Sequence, residues 1–267
     1  FIVRQQLQEV GIEDADVIIE PEGKNTAPAI LVAALHVATR DPSGVMVVMP
    51  SDHYIPDQHA FTSMVQDAAE NIQADQIICL GVQPSRPETG YGYIKVSDAK
   101  KQIIEVEQFV EKPNQELAEK YLSDGGYLWN SGIFIVRAGE LIELAGKLQP
   151  EIMQATKAAF DNSKNDLDFI RLDQGHWGKI EGDSFDYAFM EKTNKIGCIN
   201  FKGAWSDLGD WNAVAREKDT DSSGNHLIGN AHQIDSKDSL LWSDSHDQFL
   251  TGIGLKNIIA VAMNDAV

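Results

Sequence analysis

Val45-Met46-Val47-Val48-Met49 is apolar at every position and stops at Pro50. A strand with one wet face alternates polar and apolar residues, so an unbroken apolar run predicts a central parallel strand covered on both faces. Residues 27–38 repeat apolar side chains at helical intervals, with Pro28 suited to the first turn, and residues 61–71 form an amphipathic helical pattern. Residues 15–20 and 76–82 read as further buried strands, and residues 1–10 as the end of a helix. Strands that alternate with helices imply an open α/β sheet, mixed but mostly parallel, of Rossmann-like type. Such sheets bind ligands beyond the carboxyl ends of their strands. Asp52 lies just past the 45–49 run, where that rule puts chemistry.

The pattern changes from Tyr91 onward. Residues 91–96 and 103–109 read as neighbouring antiparallel strands, followed by helices over 116–122, 138–148 and 151–160. Asp219-Thr220-Asp221-Ser222-Ser223-Gly224-Asn225 is a polar, turn-rich linker, and short apolar stretches alternate with turns after it. This divides the chain into a main domain over 1–218 and the start of a β-rich segment over 219–267. No internal repeat stands out in that segment.

A chain of 267 residues can bury a sizeable core. Its net charge of −19 repels nucleic-acid phosphate and argues against a DNA- or RNA-binding role. An anionic substrate would then need local relief from a cation and a few lysines inside a cleft. No apolar run approaches the ~20 residues that span a bilayer, and the N-terminal residues do not form a secretory signal. Cys79 and Cys198 sit in apolar strand-like segments without metal or redox spacing, which fits reduced core residues of a cytoplasmic protein.

Several polar strings carry chemistry. Glu20-Pro21-Glu22-Gly23-Lys24-Asn25-Thr26-Ala27-Pro28 sets a glycine turn before a helix start, where free N–H groups and the helix dipole favour an anion or a polar base edge. Thr26 serves equally well as a plain N-cap. Asp52 could cap a turn, or join Asp207 of Trp205-Ser206-Asp207-Leu208-Gly209 in holding Mg²⁺, which favours one or two carboxylates plus phosphate oxygens and water. Glu111-Lys112-Pro113 closes a strand, where neighbouring side chains point to opposite faces and usually only one meets a site. Asn130, in Trp129-Asn130-Ser131-Gly132, is an amide that can both donate and accept, and Gly132 allows close approach. Gly90 and Tyr91 lie in a glycine-broken segment ahead of a strand. Lys192 ends Asp186-Tyr187-Ala188-Phe189-Met190-Glu191-Lys192 and suits either phosphate or solvent. His226, His232 and His246 lack zinc-like spacing and read as surface residues.

These strings, in this order, resemble the mannose-1-phosphate guanylyltransferases, members of the sugar-phosphate nucleotidyltransferase family. The resemblance implies that Glu20, Lys24, Asn25, Thr26, Ala27 and Pro28 hold the nucleotide, where relatives often carry Arg at the position of Lys24. It implies that Asp52 and Asp207 converge to hold Mg²⁺, and that Gly90, Tyr91, Glu111, Lys112, Asn130 and Lys192 receive the sugar phosphate, with Gly90 against the sugar. The implied reaction joins GTP and mannose 1-phosphate into GDP-mannose and pyrophosphate by in-line attack on the α-phosphorus, with Asp52, Lys112 and Asp207 as the catalytic set. The family opens with a Gly-Gly-x-Gly-Thr-Arg-Leu type loop, which this sequence does not contain. The expectation is therefore a fragment with little or no turnover, with sheet edges and apolar faces exposed. A non-catalytic sugar-nucleotide-binding relative is the alternative, and homo-oligomers through the β-rich segment are a further expectation.

Overall fold

The computed structural model describes residues 2–97, 102–244 and 247–267, so the expectations for Phe1 and His246 lie outside the described residues. The chain forms two compact units, Phe1–Pro50 with Asp57–Gly203, and Ser51–Pro56 with Ala204–Val267. The division falls at 203/204, where composition suggested 218/219. The reason is local. Tyr54 and Ser206 exchange both backbone N–H···O bonds, at 2.8 and 3.1 Å, which ties residues 51–56 to the chain after Ala204.

The first unit runs α1 (Ile2–Glu9), β1 (Val17–Ile19), α2 (Thr26–Ala38), β2 (Val45–Val48), α3 (Gln58–Asn71), β3 (Ile77–Val82), β4 (Gly92–Val96), β5 (Ile104–Val110), α4 (Gln115–Asp124), β6 (Tyr127–Arg137), α5 (Ala138–Leu148), α6 (Pro150–Asp161), β7 (Lys164–Asp166), β8 (Phe169–Arg171), α7 (Gln174–Trp177), a π-helical turn (Asp186–Met190) and β9 (Ile196–Phe201). Local chemistry sets the helix starts. Side chains of Asp57 and Asn114 accept from Ala60 N and Leu117 N at 2.9 and 3.0 Å, and Pro150 opens α6, where its missing N–H costs nothing.

The main sheet has six strands in the order β2-β6-β3-β9-β5-β4, with β4 also paired to β6. β2, β3, β4 and β9 run one way, and β5 and β6 run against them, so the sheet is mixed with most strands co-oriented. β6 organises it. Along one edge it pairs with β3; along the other it pairs first with β4 and then with β2. The change of partner falls at Ser131-Gly132, and Gly132 adopts φ +72°, a conformation that glycine takes without strain.

β3 is buried along its whole length. Ile77 and Cys79 join the core built with α2, α5 and α6, while Ile78 packs with Ala68, Ile135 and Ile199 on the α3 side. This two-residue alternation gives each face its own core, and each such side chain contributes roughly 1.5–3 kcal/mol by burial. β2 departs from its predicted place. It is an edge strand paired to β6 alone, with Val47 36% and Met49 52% exposed. Its apolar side chains line a cavity of about 690 Å³ together with Ile30, Ala33 and Val37 of α2, which accounts for a run without polar positions.

The second unit continues through α8 (Trp211–Arg216) into β10 (His226–Gly229), β11 (Ala231–Ile234), β12 (Leu240–Ser243), β13 (Leu250–Ile253) and β14 (Ile259–Ala262). β10, β12 and β14 stack in parallel, as do β11 and β13, so the chain winds as a solenoid. His226 pairs with Leu240, and Leu240 with Ile259; the coils differ in length, which hides the repeat from the sequence. Asn225 fixes one corner. Its amide donates to Ser236 O at 2.9 Å and accepts from Ser239 N at 3.2 Å, while Asp221 accepts from its amide and backbone.

Candidate active site

The segment before α2 is held tightly. Asn25 caps the helix from a left-handed φ of +66°, and its side chain accepts from Thr26 N at 2.8 Å. The cap is thus Asn25, and Thr26 is already helical; its hydroxyl accepts from Phe185 N at 2.8 Å. Ala27 N donates to Asp183 O, and Pro28 has no N–H, so the first helical donors are already taken. Trp177 Nε1 donates to Glu22 O at 2.7 Å, and a side chain at Gly182 would meet Lys24 O at 2.7 Å. Lys24 pairs with Glu22 at 2.9 Å. Burial pushes the Glu20 carboxyl above its ordinary pKa. What this segment presents to a ligand is a fixed backbone path with a half-buried acid, not a row of open amides.

The second unit gathers Asp52 and Asp207 around one imidazole. His53 Nδ1 accepts from Trp205 Nε1 at 3.2 Å, and the two rings meet edge to face. Burial lowers the His53 pKa, while the charges of Asp52 and Asp207 both pull it up, so both carboxylates lie within electrostatic reach of the ring. Asp207 Oδ1 accepts from Gly209 N at 3.2 Å, through a turn in which Leu208 adopts φ +49°. Two hard oxygen donors on a short paired segment suit a magnesium ion that takes its remaining ligands from phosphate and water. Among the described residues no group of three or more His, Cys, Asp or Glu is arranged to hold a metal.

A polar cluster forms in the first unit where β4, β5 and β6 meet. β5 ends at Val110, and Lys112 adopts φ +46°. That left-handed step, uncommon outside glycine, cancels the alternation expected of a strand. Lys112 Nζ therefore comes 3.5 Å from Glu111 Oε1. The Glu111 side chain is only 8% exposed, and its Oε2 is buried without a hydrogen-bond partner. Burial pushes the Glu111 pKa up to about 6, helped by the nearby charge of Asp186 and by Glu191, and opposed by Lys112. Asn130 is buried, and its Nδ2 donates to Asp186 Oδ1 at 2.8 Å. Asn130 Oδ1 accepts from Gly132 N at 3.3 Å, so both ends of the amide are held.

Gly92, two residues from the predicted Gly90, packs against this cluster. A Cβ there would lie 2.5 Å from Glu111 Oε2 and 3.3 Å from Asn130 Cβ. Gly90 sits in the preceding turn, where its N–H donates to Glu88 Oε1 at 3.1 Å. Tyr91 packs edge to face on Trp129, with the Arg86 guanidinium 5.0 Å from the Trp129 ring. Lys192 follows the π-helical turn at an exposed position. The sequence reading did not select Asp186 or Gly92 as site residues, although both lie inside strings it quoted. What marks them is contact with Asn130 and Glu111, and spacing carries no trace of that.

A nucleotidyl transferase family model matches residues 1–223, and the chain belongs to this family. It is 38% identical over 274 residues to a mannose-1-phosphate guanylyltransferase of Salmonella montevideo, covering 100% of this chain and 57% of that protein. It is 38% identical over 267 residues to xanthan biosynthesis protein XanB of Xanthomonas campestris pv. campestris (strain B100), covering 100% of this chain and 56% of the relative. A solved structure described as a mannose-1-phosphate geranyltransferase from Thermus thermophilus superposes with a TM-score of 0.83 at 25% identity, over 98% of this chain and 75% of that one. The chain thus spans somewhat more than half the length of these curated relatives. No helix among the described residues is long and apolar enough to cross a membrane.

Proposed function

We propose that this chain is the nucleotidyltransferase part of a mannose-1-phosphate guanylyltransferase, which joins GTP and mannose 1-phosphate into GDP-mannose and releases pyrophosphate. The observation that carries this reading is the cluster of Glu111, Lys112, Asn130 and Gly92. It sets a buried acceptor, a fixed amide and an accessible ammonium within one small space, which is what a hexose phosphate needs. Glu111 Oε2 and the Asn130 amide bond sugar hydroxyls, and Lys112, held near Glu111 but 60% exposed, neutralises the sugar phosphate. The phosphate oxygen of the sugar is then the nucleophile, so no side chain forms a covalent bond. The rate comes from positioning and charge neutralisation.

The segment of Glu20, Lys24, Asn25, Thr26, Ala27 and Pro28 gives the nucleoside a rigid backbone edge. Asp52 and Asp207 would hold Mg²⁺, which when bound offsets the repulsion between two polyanions. Gly90, Tyr91 and Lys192 border the sugar-phosphate path in this reading. The protein acts in the cytoplasm, without nucleic acid or membrane partners, and homo-oligomers form through its solenoid.

Calorimetric titration with GDP-mannose in the presence of Mg²⁺, with ADP-glucose as control, tests the reading. Saturable binding of GDP-mannose at least tenfold tighter than ADP-glucose supports it. Equal affinity for the two, or binding of neither by folded protein, sinks it.

A further inference from the structure

Asp186 has no part in the reading above, yet it is the residue on which the sugar pocket is built. It opens the π-helical turn, and its half-buried carboxylate accepts from Asn130 Nδ2 at 2.8 Å. With Asn130 Oδ1 engaged by Gly132 N, the amide keeps one N–H to offer a ligand. The buried Oε2 of Glu111 and the Cβ of Asn130 both border the gap left by the missing side chain of Gly92. Two carboxyls and one amide thus share a pocket, with Lys112 the cation beside Glu111 and Glu191 a further acid near both carboxyls.

We propose that Asp186 is a specificity-determining positioning residue. It orients the Asn130 amide and faces Glu111 with a like charge, so that the pocket accepts a ligand hydroxyl as the donor that Glu111 lacks. A sugar that presents one hydroxyl to Glu111 Oε2 and another to Asn130 Nδ2 satisfies both, whereas a deoxy sugar leaves Oε2 buried and unpaired. This inference rests on the assignment of the pocket to the sugar.

Charge links the unit to pH. A hydroxyl bonds the charged carboxylate more strongly than the neutral acid, so binding favours ionised Glu111. Burial first, then Asp186, push its pKa to about 6. In this state the affinity for a sugar nucleotide falls about tenfold between pH 8 and pH 5, following the ionised fraction at one unit below that pKa. Replacing Asp186 by Asn keeps an oxygen for the Asn130 amide but removes the like charge. Glu111 then ionises more readily, and the loss between pH 8 and pH 5 shrinks. Asp186→Ala removes the oxygen as well and weakens binding at every pH.

The experiment is calorimetry with GDP-mannose from pH 5 to pH 8, a ligand whose diphosphate does not titrate there, on wild type, Asp186→Asn, Asp186→Ala and Glu111→Gln. ¹³C NMR titration of the Glu111 carboxyl in the ligand-free protein runs alongside. A smaller pH dependence and a lower Glu111 midpoint in Asp186→Asn, with a flat profile in Glu111→Gln, bear the inference out. Asp186→Asn and Asp186→Ala that weaken binding in parallel, with the midpoint unmoved, would reduce Asp186 to packing and overturn it. GDP-glucose in place of GDP-mannose separates this from the proposed function. Equal affinity for both sugars, with the same midpoint shift, defeats the mannose assignment and leaves Asp186 its role. Wild type that binds neither overturns both.

Discussion

Replacing Glu111 by Gln removes a charge that the fold holds at a cost. Its side chain is 8% exposed and one oxygen is unpaired, so the carboxyl ionises less readily in the native state, at about 6, than at its ordinary 4.5. A native acid with a raised pKa binds more protons than its unfolded counterpart, so stability falls as pH rises between the two values. The cost is absent below about 4.5 and complete above about 6. At about 1.4 kcal/mol per tenfold, the gap amounts to about 2 kcal/mol. Glu111→Gln should therefore be about 2 kcal/mol more stable than wild type at pH 8, roughly 4–8 °C in Tm. The advantage should vanish near pH 4.5. Urea unfolding followed by tryptophan fluorescence at several pH values measures it, and calorimetry on the same samples should show weakened GDP-mannose binding. An advantage that does not change with pH, or a wild type that is the more stable at pH 8, would refute the reasoning.

Gly92→Ala should lower GDP-mannose affinity at least ~10-fold, because the new Cβ must displace Glu111 Oε2 and crowds Phe109 and Asn130; circular dichroism alongside calorimetry separates this from loss of fold. Asp207→Asn and Asp52→Asn should each abolish the part of nucleotide binding that EDTA removes from wild type; variants that still respond to EDTA would place the metal elsewhere. Asn225→Ala leaves Ser236 O and Ser239 N unpaired inside the solenoid and should cost about 2–4 kcal/mol there, seen as faster amide exchange over β10–β14 with the main sheet still protected.

Much of the architecture was legible because its signals are local. The helices over 27–38 and 138–148, the buried strand at 76–82 and the antiparallel pair after Tyr91 all announce themselves by period. The place of β2 was not legible. The sequence cannot tell that Val47 and Met49 of this run are exposed, and only the antiparallel pairing to β6 shows that β2 is an edge. β6 was hidden for a different reason: Asn130-Ser131-Gly132 interrupts an apolar strand with the residues that make the pocket. The motifs named Glu111, Lys112 and Asn130, but the left-handed step at Lys112 and the bond from Asn130 to a residue 56 positions away belong to the folded chain alone.

The pairing scheme of β6 also governs when the pocket can exist. β6, β3, β9, β5 and β4 close on one another in a ring, and the β3–β9 contact joins Cys79 to Cys198 across more than a hundred residues of chain. Long loops must close before such contacts repay their entropy, so this sheet forms slowly and late in folding. Asn130 meets Gly92 through β6 and Asp186 through a turn just ahead of β9. Gly92, Asn130 and Asp186 thus come together only when the ring is shut, so the cluster they form depends on the sheet's longest-range pairings.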